Sequence, residues 1–406
     1  MTRIEQMIKD MCPNGVEWKT LGEICELVTK QTGFDYSNTI KPALLTKRSE
    51  GAIPYMQTRN FSGRNFNYET EYYVPEHIVN QFPRIVLDKK CLLISIVGSI
   101  GNVGLFPGEE KCFLGGAICV LKFKPGINIS FVYEFMSSIY GQKLLKSKIK
   151  GSGQSTITIE DIRKFSIPLP PQEIQERIVI VLEKYAALAA ELQAELQKRR
   201  TQYEYYRTQL LTPPQTISPE GSTDDRNWEW KTLGEICTIL RGKRLTKSEL
   251  SEDGKYPVFH GGIEPLGYYK EYNREANTVM IINVGASAGT VGFSDAKFWS
   301  SDGCYCLSKS DMVIPKFMYY LLQKRESELK SRVRYAGIPT LDSDVIKRMK
   351  IALPSLEEQA RIVAILDKFE ALTTSLSDGI PAEQAAQQKR YEYFRDKLLT
   401  FPRKEV

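Results

Sequence analysis

At 406 residues, 42% hydrophobic and 26% charged, the chain can form two or more domains with substantial cores, and its composition is that of an ordinary soluble globular protein. Residues 1–11 are charged throughout and contain no signal-peptide-like run. The most apolar stretch, Cys91 to Phe106, is broken by Ser95, Gly98, Ser99, Gly101 and Gly104 and is too short to span a bilayer, so a cytoplasmic location is expected. Eight cysteines form no CxxC and only His77 and His260 accompany them, which argues against a zinc or redox centre and predicts buried free thiols.

The first unit, residues 1–166, opens on Trp18-Lys-Thr-Leu-Gly-Glu-Ile-Cys25. Within it Leu92 to Val97 reads as a strand running into Gly98, Gly101 and Gly104, and Phe131 to Leu145 reads as a helix. Residues 167–212 follow as a long helix. From Gln172 on, Ile174, Ile178, Val181, Tyr185, Leu188, Leu192, Leu196, Tyr203, Tyr206 and Leu210 keep to steps that put them on one seam. At 1.5 Å per residue the helix would run for roughly 60 Å, and a seam of that length needs a partner. Inside it the tetrad Ala190-Glu-Leu-Gln193 is written again at once as Ala194-Glu-Leu-Gln197. Pro213-Pro214 ends the helix, and residues 213–227 form a polar linker.

The second unit, residues 213–350, repeats the first. Trp230 to Cys237 is identical to Trp18 to Cys25 at an offset of 212. Val279 to Val284 reads as a strand running into Gly285, Gly289 and Gly292, and Lys316 to Leu329 as a helix. In residues 351–406 the long helix returns, Leu353 answering Leu169 at an offset of 184 and Tyr391-Glu-Tyr-Phe-Arg395 answering Tyr203-Glu-Tyr-Tyr-Arg207 at 188. The second unit is therefore 28 residues shorter, and a four-residue insertion near Gly379-Ile380-Pro381-Ala382 should kink or interrupt its helix. Tandem duplication predicts two α+β domains with mostly antiparallel sheets, carried on two antiparallel helices related by a pseudo-twofold axis.

Charge is unevenly spread. Residues 1–166 carry 21 basic and 16 acidic groups and residues 213–350 carry 20 and 18, while the helical segments are close to neutral. Basic domains on neutral helices suit a polyanion binder on a scaffold. The glycine runs match no nucleotide-binding spacing and read as sheet turns; no GxxxxGK[ST], HExxH or Asn-Pro-Pro-aromatic motif occurs, so no active site is expected.

Lys146, Lys148 and Lys150 alternate ahead of a small-residue loop containing Gly153, Gln154, Ser155 and Thr156. Lys330, Arg332 and Arg334 alternate in the same register ahead of a loop containing Gly337, and such cations suit phosphates. Arg59, Asn60 and Arg64 in the first unit could read base edges, and Arg241, Lys243, Arg244 and His260 occupy the matching neighbourhood of the second.

The duplicated opening, the paired LP-x-x-x-x-Q-x-R-I-V helices and the YEYYR…LLT tails resemble the specificity subunit of type I restriction-modification systems over nearly the whole chain. The resemblance implies two target-recognition domains, each reading half of a split double-stranded DNA site. It also implies helices acting as a ruler that docks two adenine-N6 methyltransferase subunits, with restriction subunits outside. No cofactor would be held here: S-adenosylmethionine would sit in the methyltransferase subunits, and ATP and Mg in the restriction subunits. The loop from Gly151 to Thr156 and its mate from Ala336 to Thr340 fall where family members approach DNA, the second with Ile338-Pro339 in place of Gln154-Ser155. A free-standing DNA- or RNA-binding scaffold, and an enzyme using the glycine runs, are the alternatives.

Overall fold

The computed structural model describes residues 3–149, 156–213, 228–251, 253–374 and 379–404. It divides into two units: one holds residues 1–191 with 384–406, the other residues 192–383. The first contains α1 (Arg3–Met11), β1 (Glu17–Thr20), β2 (Cys25–Lys30), β3 (Ile53–Met56), β4 (Tyr73–Val74), β5 (Val86–Leu87), β6 (Cys91–Ser95), β7 (Val103–Phe106), β8 (Cys112–Leu114), β9 (Ile118–Phe123), α2 (Ile129–Ser137), α3 (Ile139–Ser147) and β10 (Ser166–Leu169). Helix α4 (Gln172–Leu210) begins in this unit and ends in the other. The second unit continues with β11 (Glu229–Thr232), β12 (Ile239–Arg241), β13 (Tyr256–Phe259), β14 (Gly267–Tyr269), β15 (Thr278–Ile282), β16 (Val291–Ser294), β17 (Trp299–Ser300), β18 (Cys304–Leu307), α5 (Pro315–Lys324), α6 (Glu326–Ser331), β19 (Lys350–Leu353) and α7 (Leu356–Thr374). Helix α8 (Ile380–Leu398) follows and belongs to the first unit from Gln384 onward.

The repeated opening has a local cause. Thr20 and Glu23 form a capping box, Glu23 accepting from the Thr20 backbone N–H at 2.7 Å, and a one-turn helix follows that buries Leu21 and Ile24. Thr232 and Glu235 do the same for Leu233 and Ile236. Gly22 and Gly234 within these turns lie where an added Cβ would stand 3.3 Å from Arg163 and Lys347 respectively, so the same close approach recurs. β1 then pairs antiparallel with β10 (Trp18 opposite Pro168), as β11 does with β19 (Trp230 opposite Ala352).

Each domain carries one antiparallel four-stranded sheet, ordered β2-β9-β6-β7 in the first and β12-β18-β15-β16 in the second. Beside it lies a sheet holding one parallel pair: β4-β3-β8-β5, with β3 parallel to β8, and β14-β13-β17, with β13 parallel to β17. The first domain's second sheet has its own core around Tyr55, Met56, Leu87 and Phe113. Its counterpart is reduced to small clusters around Met280 and Val258, and this is where the shorter copy is trimmed.

The glycine runs are sheet features. Gly98, Gly101, Gly285 and Gly289 adopt positive φ in the turns, and Gly104 in β7 lies directly under the Phe61 ring. The single helix expected over 131–145 is two, broken at Ser138, whose hydroxyl accepts from the Gly141 N–H and starts the next helix. That expected over 316–329 likewise breaks at Arg325. In the distal long helix α7 is described as far as Thr374, and Gly379 is a bend from which α8 starts at Ile380, the interruption that the Gly379–Pro381 insertion predicts.

The helix seam is used in halves. In the first unit Tyr185 stacks on Phe394 at 5.4 Å and 19°. In the second Tyr206 stacks on Phe369 at 5.4 Å and 28°. By the sequence offsets Phe369 is the copy of Tyr185, and Tyr206 the copy of Phe394. The same contact is made twice with its partners exchanged, and the start of each helix meets the end of the other. The end of the chain also closes the first domain: Phe401 packs on Phe131, Val16 bridges to Arg403, and the Arg403 guanidinium covers Trp18.

Candidate nucleic-acid interface

In each domain the parallel pair ends at a corner. Met56, at the end of β3, accepts from the Gly115 N–H at 2.8 Å, and Phe259, at the end of β13, accepts from the Ser301 N–H at 2.9 Å. Ile96 donates to the Ala117 carbonyl at 2.9 Å, and Asn283 to that of Gly303 at 3.1 Å. Ile157 donates to Ile96 at 3.1 Å, and Leu341 to Asn283 at 2.9 Å. These three matched hydrogen bonds fix the same backbone path in both copies. They make Gln57 and His260, each the first residue beyond its strand, topological equivalents.

The side chains hung on this common path differ. In the first domain Gln57, Arg59, Glu71, Tyr36, Tyr72 and the Gly115–Ala117 turn line an open cleft of about 510 Å³. Arg59 donates through Nη2 to Gln57 Oε1 at 2.8 Å and pairs with Glu71. Gln31 lies next to Gly116, 2% exposed; its Oε1 accepts from the Tyr55 hydroxyl at 2.8 Å, and its buried Nε2 has no partner among the described residues. In the second domain His260 Nδ1 stands 3.2 Å from Ser301 Oγ and 3.4 Å from Asp302 Oδ1.

The predicted cations of the second unit gather near this corner. Lys243 donates its N–H to Ser300 at 2.9 Å, one residue from Ser301, and Arg241, Lys243 and Arg244 are exposed. Arg334 and Thr340 exchange hydrogen bonds of 2.9 and 3.0 Å, Thr340 bridges to Val284, and Val284 lies beside Gly303 next to His260. Gly337, at φ 89°, lies between them and is exposed, as is Arg332. Lys330 ion-pairs with Glu326 and is the least available of the three.

In the first unit Lys146 and Lys148 are exposed and Thr156 bridges to Val97, beside the corner. Lys150, Gly153, Gln154 and Ser155 lie outside the described residues. The alternation of cations does not mark an extended edge: Lys146 and Lys330 sit in the last turns of α3 and α6, and Lys148 and Arg332 cap those helices. Side chains two apart on a helix point in different directions, so the first two cations of each set lie around a helix end, while Arg334 follows in a bridge to Thr340.

Asn60 and Arg64 are engaged within the chain. Asn60 is 7% exposed, and its Oδ1 accepts from the Gln57 N–H at 2.9 Å, shaping the turn that carries Arg59. Arg64 pairs with Glu134 at 2.8 Å and Glu183 at 3.2 Å. Glu134 is fully buried and also accepts from the Tyr391 hydroxyl at 2.7 Å, and partial burial beside that carboxylate pushes the Tyr391 phenol well up. All eight cysteines are free and buried; burial pushes Cys25, Cys91, Cys112 and Cys119 up to about 12.

Gln57, Glu71, Ser301 and Asp302 escape a sequence reading because the parallel pairing joins segments more than 40 residues apart. Aligning Pro54 with Pro257 is the one signal that would have matched Gln57 to His260.

Two α+β domains, each with a cation-flanked polar corner and joined by a long helix, define a duplicated recognition scaffold. The sequence profile of the type I restriction modification DNA specificity domain matches residues 13–199 and again 225–384, and the chain belongs to this family. It is 31% identical to the specificity subunit of the Escherichia coli type I restriction enzyme EcoprrI, over 71% of this chain and 73% of that one. A Haemophilus influenzae protein, provisionally named a type I restriction enzyme specificity subunit, is 29% identical over 95% of this chain and 96% of its own length. The crystal structure of a type I restriction-modification S subunit from M. genitalium shares the fold, with a TM-score of 0.58 at 21% identity over 95% of this chain and 96% of that one.

Proposed function

We propose that the chain is the non-catalytic DNA-reading subunit of a methyltransferase and restriction complex, each domain reading one half of a bipartite site. The observation that carries this reading is the corner built twice on one backbone path, with different polar side chains and with cations nearby. A shared frame with divergent readers suits an asymmetric target, phosphate contacts setting position and corner side chains selecting bases. The long helices set the distance between half-sites and dock two adenine-N6 methyltransferase subunits. S-adenosylmethionine belongs to those subunits, and ATP and Mg to the restriction subunits.

The test is methyl transfer to DNA by this chain alone, by the methyltransferase alone, and by both together. Sequence-specific transfer only from the combination is expected. Transfer by this chain alone, or a methyltransferase whose specificity ignores it, would overturn the reading.

A further inference from the structure

We infer that the two corners read opposite hydrogen-bonding polarities: Gln57 with Arg59 reads an acceptor edge in one half-site, and His260 held by Asp302 reads an exocyclic amino group in the other. The inference rests on the DNA-reading function proposed above and assigns the base-selecting side chains within it.

In the first domain the Gln57 carbonyl oxygen already accepts from Arg59 Nη2. Its amide N–H2, by contrast, makes no hydrogen bond among the described residues and is the group left fully open to a ligand. Arg59 carries only donors, and its side chain is 60% exposed on the cleft wall. A pair whose open groups are chiefly N–H donors matches guanine, whose N7 and O6 both accept in the major groove. Glu71 holds Arg59 without neutralising its donors, and the Asn60 cap on the Gln57 N–H fixes the turn between them.

In the second domain the ring is oriented from the other side. Nδ1 stands 3.2 Å from Ser301 Oγ and 3.4 Å from Asp302 Oδ1; the Ser301 hydroxyl donates its own proton to Asp302 at 3.1 Å and the carboxylate can only accept, so Nδ1 carries the proton. In the neutral imidazole Nε2 is then a bare acceptor. With the His260 side chain 42% exposed at the place Gln57 holds in the first domain, that acceptor matches the amino group of cytosine N4 or adenine N6. The carboxylate adds a second acceptor and disfavours a guanine O6 at the same spot.

The experiment is selection from a randomised duplex pool by the full-length chain, alone and assembled with its methyltransferase subunits. Wild type should yield a two-part motif with a required guanine in one half and a required cytosine or adenine in the other. Arg59→Ala and Gln57→Ala should relax only the guanine, and His260→Ala only the amino-bearing base. Each should lose about 5- to 150-fold of discrimination at a single position. Asp302→Asn should relax the same position as His260→Ala.

An unchanged motif, a change in both halves, or a uniform loss of affinity in a variant with wild-type melting behaviour would overturn the assignment. Should an alanine variant fail to fold, His260→Gln and Gln57→His decide by whether the base preference at that position changes. A wild-type chain that selects no motif in either state defeats the DNA-reading function itself, a result distinct from any of these.

Discussion

At the scale of single residues, the Arg64–Glu134 pair shows why a charged side chain is a poor guide to a binding site. Glu134 is shut off from solvent, and a buried carboxylate is tolerated only with a cation and hydrogen bonds around it; Arg64 and Tyr391 supply them. Replacing Arg64 with Met removes the cation while keeping length and apolar packing. We expect a destabilisation of about 3 kcal/mol, the low end of the range for breaking a buried pair because Arg64 is partly exposed. Urea unfolding would measure it, and the double variant Arg64→Met, Glu134→Gln should recover part. Lys146 and Lys148 are exposed and behave otherwise. Changing Lys146, Lys148 and Lys150 together to alanine should weaken binding equally for all sequences. The slope of log affinity against log salt should fall by about 2.7, or about 0.9 for each phosphate no longer neutralised. An unchanged slope would show that they face solvent in the complex.

At the scale of elements, the helices are held by pairs that the duplication exchanges. Tyr185 on Phe394 and Phe369 on Tyr206 are one contact made in two units, so each should be worth the same. A double-mutant cycle through alanine should give a coupling of about 0.5–1.5 kcal/mol for either pair. Couplings differing by more than that range would show that the neighbouring Tyr203, tilted on Phe369 at 6.3 Å, makes the second pair a triplet. The capping boxes are likewise duplicated. Hydrogen bonds from Thr20 and Thr232 hold Glu23 and Glu235 below the usual glutamate range. A lowered carboxylate contributes stability above its unfolded-state pKa and loses it as pH falls through the folded-state value. Acid titration of the melting temperature should therefore fall less steeply in the Glu23→Gln, Glu235→Gln variant than in wild type.

At the scale of the whole molecule, helices α4 and α8 each run from one unit into the other, and in α4 the Ala190–Gln197 double tetrad spans the residues where one unit gives way to the next. Four residues are slightly more than one turn, so a third tetrad nearly preserves the seam while adding about 6 Å of helix. At about 3.4 Å per base pair the gap between half-sites should widen by one to two base pairs, with both half-site sequences kept. Mapping methylated adenines in a strain carrying the longer chain measures it, and an unchanged gap in an active variant ends the ruler idea.

Local and repeated features were legible in the sequence because their causes lie within a few residues. A Thr-x-x-Glu capping box, a heptad-like seam, a proline that interrupts a helix and buried thiols carry their own signatures, and duplication displayed each of them twice. The break at Ser138 was less visible, because apolar residues run through it and only the capping hydroxyl marks it.

What the tertiary structure alone decided is which distant segments meet. The parallel pairing of β3 with β8 sets Gln57 beside Gly115, and that of β13 with β17 sets His260 beside Ser301 and Asp302. The partnership of Arg64 with Glu134 and the closure of the first domain by Phe401 and Arg403 belong to the same class. Parallel strands need a long crossover, so nothing adjacent in the chain records which residues will meet.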